Sequence, residues 1–468
     1  YGMASDYNKG SAGYGTFSWQ RRLDDGGLIK SQVRYGDYER DQRASTIRLC
    51  QGTTNPNTGV YTPNANCPTT VNANLSNFGP ASVLTRGTQL KIQNLQTVYA
   101  QSDYINTFNW GGLRHEVLAG VDYALEQKQV YAQLSAAQGG YNPTKPPTTA
   151  GTPDDGAWIN ESARVLRLAS EYKAQGIGVY AQDLVQVAPA WKVLGGLRYD
   201  YLTGDYDTFS IPANAASPTT TSSYRMRVSE WSWRLGALYQ PNPLDSYYAS
   251  AATSFNTSGD AYSLSAANQN IPPEQSANLE IGAKLDSADK RFTTRLAAFY
   301  STKYQERNTD PLVNLVTLSG KRHVAGVELD LTGRLTRQWE MFTSLMWMPI
   351  AVIDVAAPGQ GVEAQGSRPS LTPTFSGTFW NTYQIDPKWR VGLGLNFRGK
   401  QTPNRNPGWE VPGYVTADLM AEYTFSEKLA VKGYLSNLAN TLYANSLYTG
   451  HYVPGPGRLF QLTASLKF

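Results

Sequence analysis

From Phe460 to Phe468 polar and apolar residues alternate without a break. Phe460, Leu462, Ala464, Leu466 and Phe468 fall on one face, and Gln461, Thr463, Ser465 and Lys467 on the other. Successive side chains of a strand point to opposite faces, so this segment has one greasy and one wet surface. Trp389, Val391, Leu393, Leu395 and Phe397 likewise oppose Arg390, Gly392, Gly394, Asn396 and Arg398. Val117, Ala119, Val121, Tyr123 and Leu125 oppose Glu116, Gly120, Asp122 and Glu126, and Ala417, Leu419, Ala421, Tyr423 and Phe425 oppose Thr416, Asp418, Glu422 and Thr424. Alternation and turn signals predict about seventeen strands. They span 13–22, 27–40, 90–109, 112–127, 172–187, 191–205, 224–239, 244–255, 276–285, 290–304, 322–335, 338–350, 371–385, 388–400, 413–425, 428–438 and 457–468. No helix is predicted between them. So many half-greasy strands imply a wall with lipid outside and water inside: an all-β fold, a transmembrane antiparallel up-and-down β-barrel.

The connectors alternate in kind. Tight ones fall at Asp24–Gly26, Trp110–Gly111, Pro189–Ala190, Pro241–Pro243, Ser287–Ala288, Thr336–Arg337, Asp386–Pro387 and Ser426–Glu427. Long ones fall at 41–89, 128–171, 206–223, 256–275, 305–321, 351–370, 401–412 and 439–456. Outer-membrane barrels have short periplasmic turns and longer outside loops, so the first predicted strand runs towards the periplasm. A single-chain bacterial barrel begins and ends there with an even strand number, so at least one strand is expected before Tyr1. An open edge in lipid would leave backbone N–H and C=O groups unpaired, at several kcal/mol each. The expectation is a single region, 1–468, forming the C-terminal part of a larger barrel.

Composition agrees with that architecture. Mean hydropathy is -0.42 and 41% of residues are apolar, with no run approaching the ~18 to 20 apolar residues of a spanning helix. A barrel strand shows lipid only every second residue, so a modest average is expected. The 30 Tyr and 11 Trp suit aromatic girdles at two membrane interfaces. A soluble propeller or tandem sandwich is the competing all-β fold, but no blade-length repeat is visible. The net charge of +4 is too small to imply nucleic acid. Cys50 and Cys67 are the only cysteines and share one polar loop, which fits a disulfide made in an oxidising compartment; two unpaired thiols are the alternative. The chain opens on Tyr1 without a signal peptide, as a processed chain or a fragment would.

Several ordered stretches carry a family resemblance. They include Val179-Tyr180-Ala181-Gln182-Asp183, Gly196-Leu197-Arg198-Tyr199-Asp200 and the run from Tyr248 to Asp260. Pro273-Glu274-Gln275-Ser276 leads to Glu280-Ile281-Gly282-Ala283-Lys284, followed by His323 to Trp347 and Pro412-Gly413-Tyr414. Ser436-Asn437-Leu438-Ala439-Asn440 with Tyr443, then Val453-Pro454-Gly455 and Arg458, lead to the terminal Phe468. Together they resemble the TonB-dependent siderophore receptors, most closely the catecholate branch. The resemblance implies a 22-stranded barrel filled by an N-terminal α/β plug, with a short segment that engages TonB. Set against that pattern, the plug, that segment and about the first five strands are expected to be missing from 1–468.

No catalytic constellation stands out. His115, His323 and His451 are scattered without ligand spacing or a nearby cysteine, so no metal site and no cofactor is expected. Gly392, Gly394 and Gly399 fit small residues on the lumen wall better than a phosphate loop, and Asp24–Asp25 and Asp154–Asp155 are acids in turns. The resemblance implies that iron arrives inside the ligand, a bulky, aromatic, usually anionic complex. Its recognition calls for guanidinium, ammonium and aromatic groups. The outer-mouth candidates are Arg398, Lys400, Arg405 and Trp409 on one loop, Tyr304, Arg307, Lys321 and Arg322 around another, and Arg368, Tyr141, Tyr443, Tyr448, His451 and Tyr452 on others. Basic residues there also bind lipid phosphates, and Tyr and Trp also serve as girdle residues. Arg398 has lumen parity; so do Arg198, Arg295 and Arg390, which are expected to line the channel or contact the plug, the alternative being charge pairing with inward Asp122, Asp200, Asp418 and Glu422.

The expected function is that of a bacterial outer-membrane receptor for energised, TonB-driven uptake of a ferric siderophore of catecholate type, in contact with outer-membrane lipid and not an enzyme. The alternatives are a passive porin, a transporter for another nutrient, and an adhesin-like barrel. The very long loops 41–89 and 128–171 favour capture of a bulky ligand over a simple pore.

Overall fold

A computed structural model describes residues 1–50, 52–54, 61–63, 67, 76–211, 219–257, 264–266, 268–309, 316–356, 363–403, 408–448 and 451–467. The wall is a single antiparallel sheet. Its long strands are β1 (Tyr7–Arg22), β2 (Leu28–Leu49), β3 (Val83–Trp110), β4 (Leu113–Gln133), β5 (Leu166–Ala188), β6 (Trp191–Ser210), β7 (Thr220–Tyr239), β8 (Asp245–Asn256) and β9 (Glu274–Asp286). They continue as β10 (Phe292–Thr309), β11 (Val316–Arg334), β12 (Trp339–Val355), β13 (Phe375–Gln384), β14 (Trp389–Arg398), β15 (Tyr414–Thr424), β16 (Leu429–Ser436) and β17 (Leu459–Leu466). Each pairs with the strand before and the strand after it. Among the described residues β1 and β17 have one neighbour each, so the sheet keeps two edges. No helix of the described residues is long and apolar enough to cross a membrane; this wall crosses with strands.

Each strand expected from alternation is present, and the corrections lie at the ends. Segments 41–49, 83–89, 128–133 and 166–171, expected within loops, are strand. β1 starts at Tyr7, and β13 to β17 are each shorter than their patterns suggest. Alternation marks a strand only where one face meets hydrocarbon. Above the membrane both faces are wet, the pattern vanishes, and the ladder continues on backbone hydrogen bonds alone.

The facing follows the alternation. Val121, Tyr123, Ile177, Val179, Leu197, Leu279, Ile281 and Leu393 are exposed on the outer surface. Inside, Arg198 donates to Asp122 Oδ2 at 2.6 Å and Asp200 Oδ1 at 2.6 Å, and Arg390 lies 3.2 Å from Glu422. Arg295 stands opposite Asp330 and Lys284 in the ladder. Gly392 and Gly394 leave room for the Trp380 ring, which lies 3.0 and 2.5 Å from where their Cβ atoms would be. Aromatics gather near the tight turns: Trp191, Tyr239 and Tyr247 in one group, Trp389, Tyr423 and Phe425 in another.

The height of the wall is uneven. β2 to β7 run 20 to 28 residues, whereas β13 to β17 run 8 to 11. A spanning strand needs about 9–11 residues, so the first group rises roughly 20 Å or more beyond the hydrocarbon and the second ends at its surface. Pairing of β7 with β8 stops at Arg234–Ala252, although β7 stays paired with β6 up to Thr220. Beyond that point β8 stays paired with β9 up to Asn256–Glu274, and its Phe255 packs against a buried cluster of Tyr172, Ala174, Met226, Val228 and Leu264.

Candidate functional site at the outer mouth

On the tall side, loop 134–165 is bolted to the ends of β1, β2 and β3 by buried charge. Lys145 is 2% exposed; its Nζ donates to Asp6 Oδ1 at 3.1 Å, Ala44 O at 3.0 Å and Ser45 Oγ at 3.0 Å, and lies 3.4 Å from Glu161. Arg43 donates to the Glu161 carbonyl, and Arg164 pairs with the Glu161 carboxylate. Arg86 holds Asp155 through two parallel hydrogen bonds at 2.8 and 2.9 Å and donates to Tyr1 O. Burial alone would raise the Asp6 carboxyl; the Met3 N–H, Ser45 and Lys145 outweigh it and hold it below its ordinary value. Arg86 and the Ala157 N–H hold Asp155 well below the usual carboxylate range. Tyr141 sits in this loop with 38% exposure. Cys50 and Cys67 are bonded at the head of the neighbouring loop, their Cα atoms 5.3 Å apart.

Next along the rim, acids occupy the basic candidates. Arg322 donates to Glu306 at 2.8 Å and Glu363 at 3.0 Å, and Lys303 lies 2.8 Å from Glu274. Burial would raise Glu363; Ser370 and Arg322 override it and keep the carboxyl lowered. Arg307 is directed to the loop carbonyl of Thr257, and Arg368 donates to the carbonyls of Met348 and Pro349 in β12, so both are bonded to backbone. Tyr304 shares the outward parity of Leu296 and Tyr300, away from the lumen expected for a ligand contact. Lys321 precedes an irregularity in the β11–β12 ladder. His115 and His323 each bond an aspartate, Asp183 at 2.6 Å and Asp354 at 2.9 Å.

The low side is built differently. The described parts of two loops, 399–403 with 408–413 and 437–448 with 451–458, border a cavity of about 520 Å³ above the outer ends of β15 and β16. Trp409, Tyr414, Tyr443, Tyr448, His451 and Tyr452 line it. Tyr414 and Tyr443 meet at 4.4 Å with their rings tilted by 34°, and Tyr448 lies nearly parallel to His451 at 4.7 Å. A short ladder of Ala444–Leu447 with Tyr452–Pro454 stiffens the second loop. Gly455 passes so close that a Cβ there would lie 1.9 Å from the Tyr443 ring; only glycine fits. Burial and the neighbouring Tyr414 phenol raise the Tyr443 hydroxyl above its ordinary pKa, so it stays a donor. Trp409 is 69% exposed. Lys400 pairs with Glu410 at 2.8 Å. Arg398, opposite Tyr414 in the ladder, has no ion pair among the described residues. Arg405 lies outside the described residues.

The structure thus gathers Trp409 and Tyr452 with Tyr443, Tyr448 and His451, while Arg307, Arg322 and Arg368 are spent on the scaffold. The sequence reading missed Tyr414, which reads as a strand residue, Glu306, which faces Arg322 across a hairpin, and Glu274 and Glu363, which lie far along the chain from the cations they hold. Among the described residues no group of three or more His, Cys, Asp or Glu side chains is placed to hold a metal ion.

A one-sheet wall with short turns at one end, long loops at the other and an alternating lipid face defines an outer-membrane β-barrel. The chain belongs to the TonB-dependent receptor-like β-barrel family, whose model matches residues 1–438. It is 25% identical over 505 residues to the catecholate siderophore receptor Fiu of Escherichia coli strain UTI89, covering 100% of this chain and 61% of that protein. It is 26% identical over 394 residues to the probable TonB-dependent receptor BfrD of Bordetella pertussis, covering 79% of this chain and 52% of the relative. The fold matches a crystal structure of the ferric-catecholate import receptor Fiu from E. coli K12 in its closed form, with a TM-score of 0.84 at 23% identity over 100% of this chain and 65% of the other. It also matches the siderophore receptor PiuA of Acinetobacter baumannii, with a TM-score of 0.81 at 20% identity over 99% and 65%. The chain spans about half to two thirds of the length of these relatives.

Proposed function

We propose that the protein built on this wall is a receptor for energised uptake of a ferric siderophore of catecholate type. The observation that carries the reading is the alignment of the whole chain with a catecholate siderophore receptor. An outer mouth offering aromatic faces beside Arg398 supports it, since an anionic, aryl-rich complex is recognised by stacking and charge-assisted hydrogen bonds. Iron is cargo, held by the small molecule, and no resident cofactor or enzymatic step is invoked. Energy comes from TonB, through a segment outside this chain, and a plug domain gates the barrel. Loop 134–165, held by buried ion pairs over the tall wall, supports a built receptor mouth over a passive pore.

A second reading keeps the mechanism and changes the cargo. The metal-pseudopaline receptor CntO of Pseudomonas aeruginosa is 26% identical over 78% of this chain, and that similarity supports transport of a different metal chelate. The test is uptake of radioactive iron by a deletion strain. Loss of uptake from iron tris-catecholate, with other chelates unaffected, supports the first reading. Normal entry of every iron chelate with failure of another nutrient overturns it.

A further inference from the structure

The lipid-facing surface of the low wall is not evenly filled. Ala421 on β15 stands opposite Gly433 on β16, and both have outward parity. These two small residues side by side leave a groove of about 550 Å³ on the outside of the wall. Leu393, Leu419, Leu435 and Phe460, each two residues further from the tight turns, form its upper side. A Cβ at Gly433 would touch the edge of the Phe460 ring at 3.4 Å, so a longer side chain there would occupy the groove. The Tyr383 end lies three residues before the tight turn at Asp386–Pro387, and the Phe460 end lies at the outer end of β17. The groove therefore climbs from the periplasmic interface into the hydrocarbon. Left empty, its lining would forfeit dispersion contacts that the rest of the wall makes with lipid.

A polar group marks the low end. Asn381 on β13 shares the outward parity of its ladder partner Leu393 and lines the groove. The indole Nε1 of Trp339 donates to Asn381 Oδ1 at 2.7 Å. An indole N–H only donates, so this contact fixes which end of the amide is oxygen. Nδ2 is left buried without a hydrogen-bond partner among the described residues. Water is absent at this depth, so the missing acceptor has to come from lipid. Below it, exposed Arg337 and Lys388 stand in two neighbouring turns, without an ion pair among the described residues. The acids nearby are Asp386, whose Oδ1 accepts the N–H groups of Lys388 and Trp389, and Glu340, which lies 4.0 Å from Arg334. An apolar groove, an unmet donor and surplus cations match three parts of one molecule: acyl chain, ester carbonyl and phosphate. We propose that this groove is a binding site for one glycerophospholipid of the periplasmic leaflet. An acyl chain lies over Ala421 and Gly433, an ester carbonyl accepts from Asn381 Nδ2, and the phosphate meets Arg337 and Lys388. Depth argues against lipopolysaccharide, whose phosphates lie at the long-loop end of the wall. A second copy of this chain would meet the groove with the same greasy face and bring phosphate to neither cation. The site requires only a wall in lipid and is independent of the cargo.

The test uses the complete receptor, delipidated in detergent and titrated with palmitoyl-oleoyl phosphatidylglycerol, with bound lipid counted by native mass spectrometry. One lipid that saturates ahead of the rest is expected. Gly433→Leu and Ala421→Leu, which fill the groove, should each weaken it about ten-fold, the scale of two buried methylene groups. Ala119→Leu, on the lipid face of β4, should leave it unchanged. Asn381→Ala should weaken it about five-fold, the scale of one hydrogen bond. Arg337→Gln combined with Lys388→Gln should weaken phosphatidylglycerol about ten-fold and leave diacylglycerol, which has no phosphate, unaffected. Two leucine variants are used so that a folding defect in one, seen as lost heat-modifiable migration on gels, leaves the other to decide. Wild-type retention of phosphatidylglycerol by a folded leucine variant overturns the site. So does a preference for lipopolysaccharide, or a dimer of the receptor, that the leucine variants abolish. Diacylglycerol held by the wild type as tightly as phosphatidylglycerol overturns the phosphate contact.

Discussion

The two sides of the outer mouth solve different problems. On the tall side, strands of 20 to 28 residues lift the wall well beyond the membrane, and loop 134–165 is locked to it by Lys145, Arg86, Arg43 and Arg164. On the low side, strands of 8 to 11 residues stop at the membrane surface, and two loops form an aromatic cavity whose paired charge, among the described residues, is Lys400–Glu410. Buried ion pairs fix geometry and tolerate loss of a partner poorly, whereas aromatic faces bind broadly and tolerate small shifts. The difference teaches that basic residues at a receptor mouth are not all for ligand. Where the wall is tall, they hold the wall.

The sharpest way to break this contrast is at Lys145. Lys145→Met leaves Asp6 without its cation and takes from Glu161 one of its two, the other being Arg164, at a cost of about 3–5 kcal/mol. Hydrogen exchange across 134–165 should rise by orders of magnitude, with the low-side loops unchanged. Protection equal to wild type would show that the loop is held by something else. Next in size is Gly455→Ala, whose methyl group meets the Tyr443 ring. Overpacking of this kind costs about 1–3 kcal/mol. It should push Tyr443 off Tyr414 and reduce ligand binding while leaving loop 134–165 protected.

Two arginines then test the division directly. Arg398→Ala should lower affinity for iron tris-catecholate about ten-fold, the scale of a charge-assisted hydrogen bond, with melting temperature unchanged. Arg322→Ala should loosen the segment around Glu363 and Ser370, seen by hydrogen exchange, with a smaller effect on affinity. If the two variants behave alike, the contrast between scaffold and ligand arginines fails.

The smallest effect expected is that of mild acid on the tall side. The folded pKa values of Asp6 and Asp155 lie below their unfolded values, so their contribution is complete above about pH 4 and is lost as pH falls through the folded values. Protection of loop 134–165 should therefore be flat from pH 8 to pH 5 and decline only in stronger acid. Release near pH 6 would point to a histidine-based latch instead.

Legibility in the sequence followed hydrocarbon contact. Strands such as Trp389–Arg398 and Tyr414–Thr424 were plain because every second residue faces lipid. The stretch from Asp41 to Leu49 was not, since water touches both its faces, although its ladder with Leu84 to Ile92 is continuous. Trp409 and Tyr452 were visible as exposed loop aromatics, but their meeting in one cavity was not. Nor was the capture of Arg322 by Glu306 and Glu363, which depends on how a bulged hairpin and a separate loop come together.

By itself the sequence determined the class of wall, the order and direction of its strands and which face meets lipid. A period of two is a local property, imposed wherever a strand separates oil from water. The tertiary structure alone decided which charges are neutralised and which aromatics share a cavity. Those depend on contacts between residues tens to hundreds of positions apart, set by the register of a whole sheet and the packing of loops on its rim, and no local pattern encodes them.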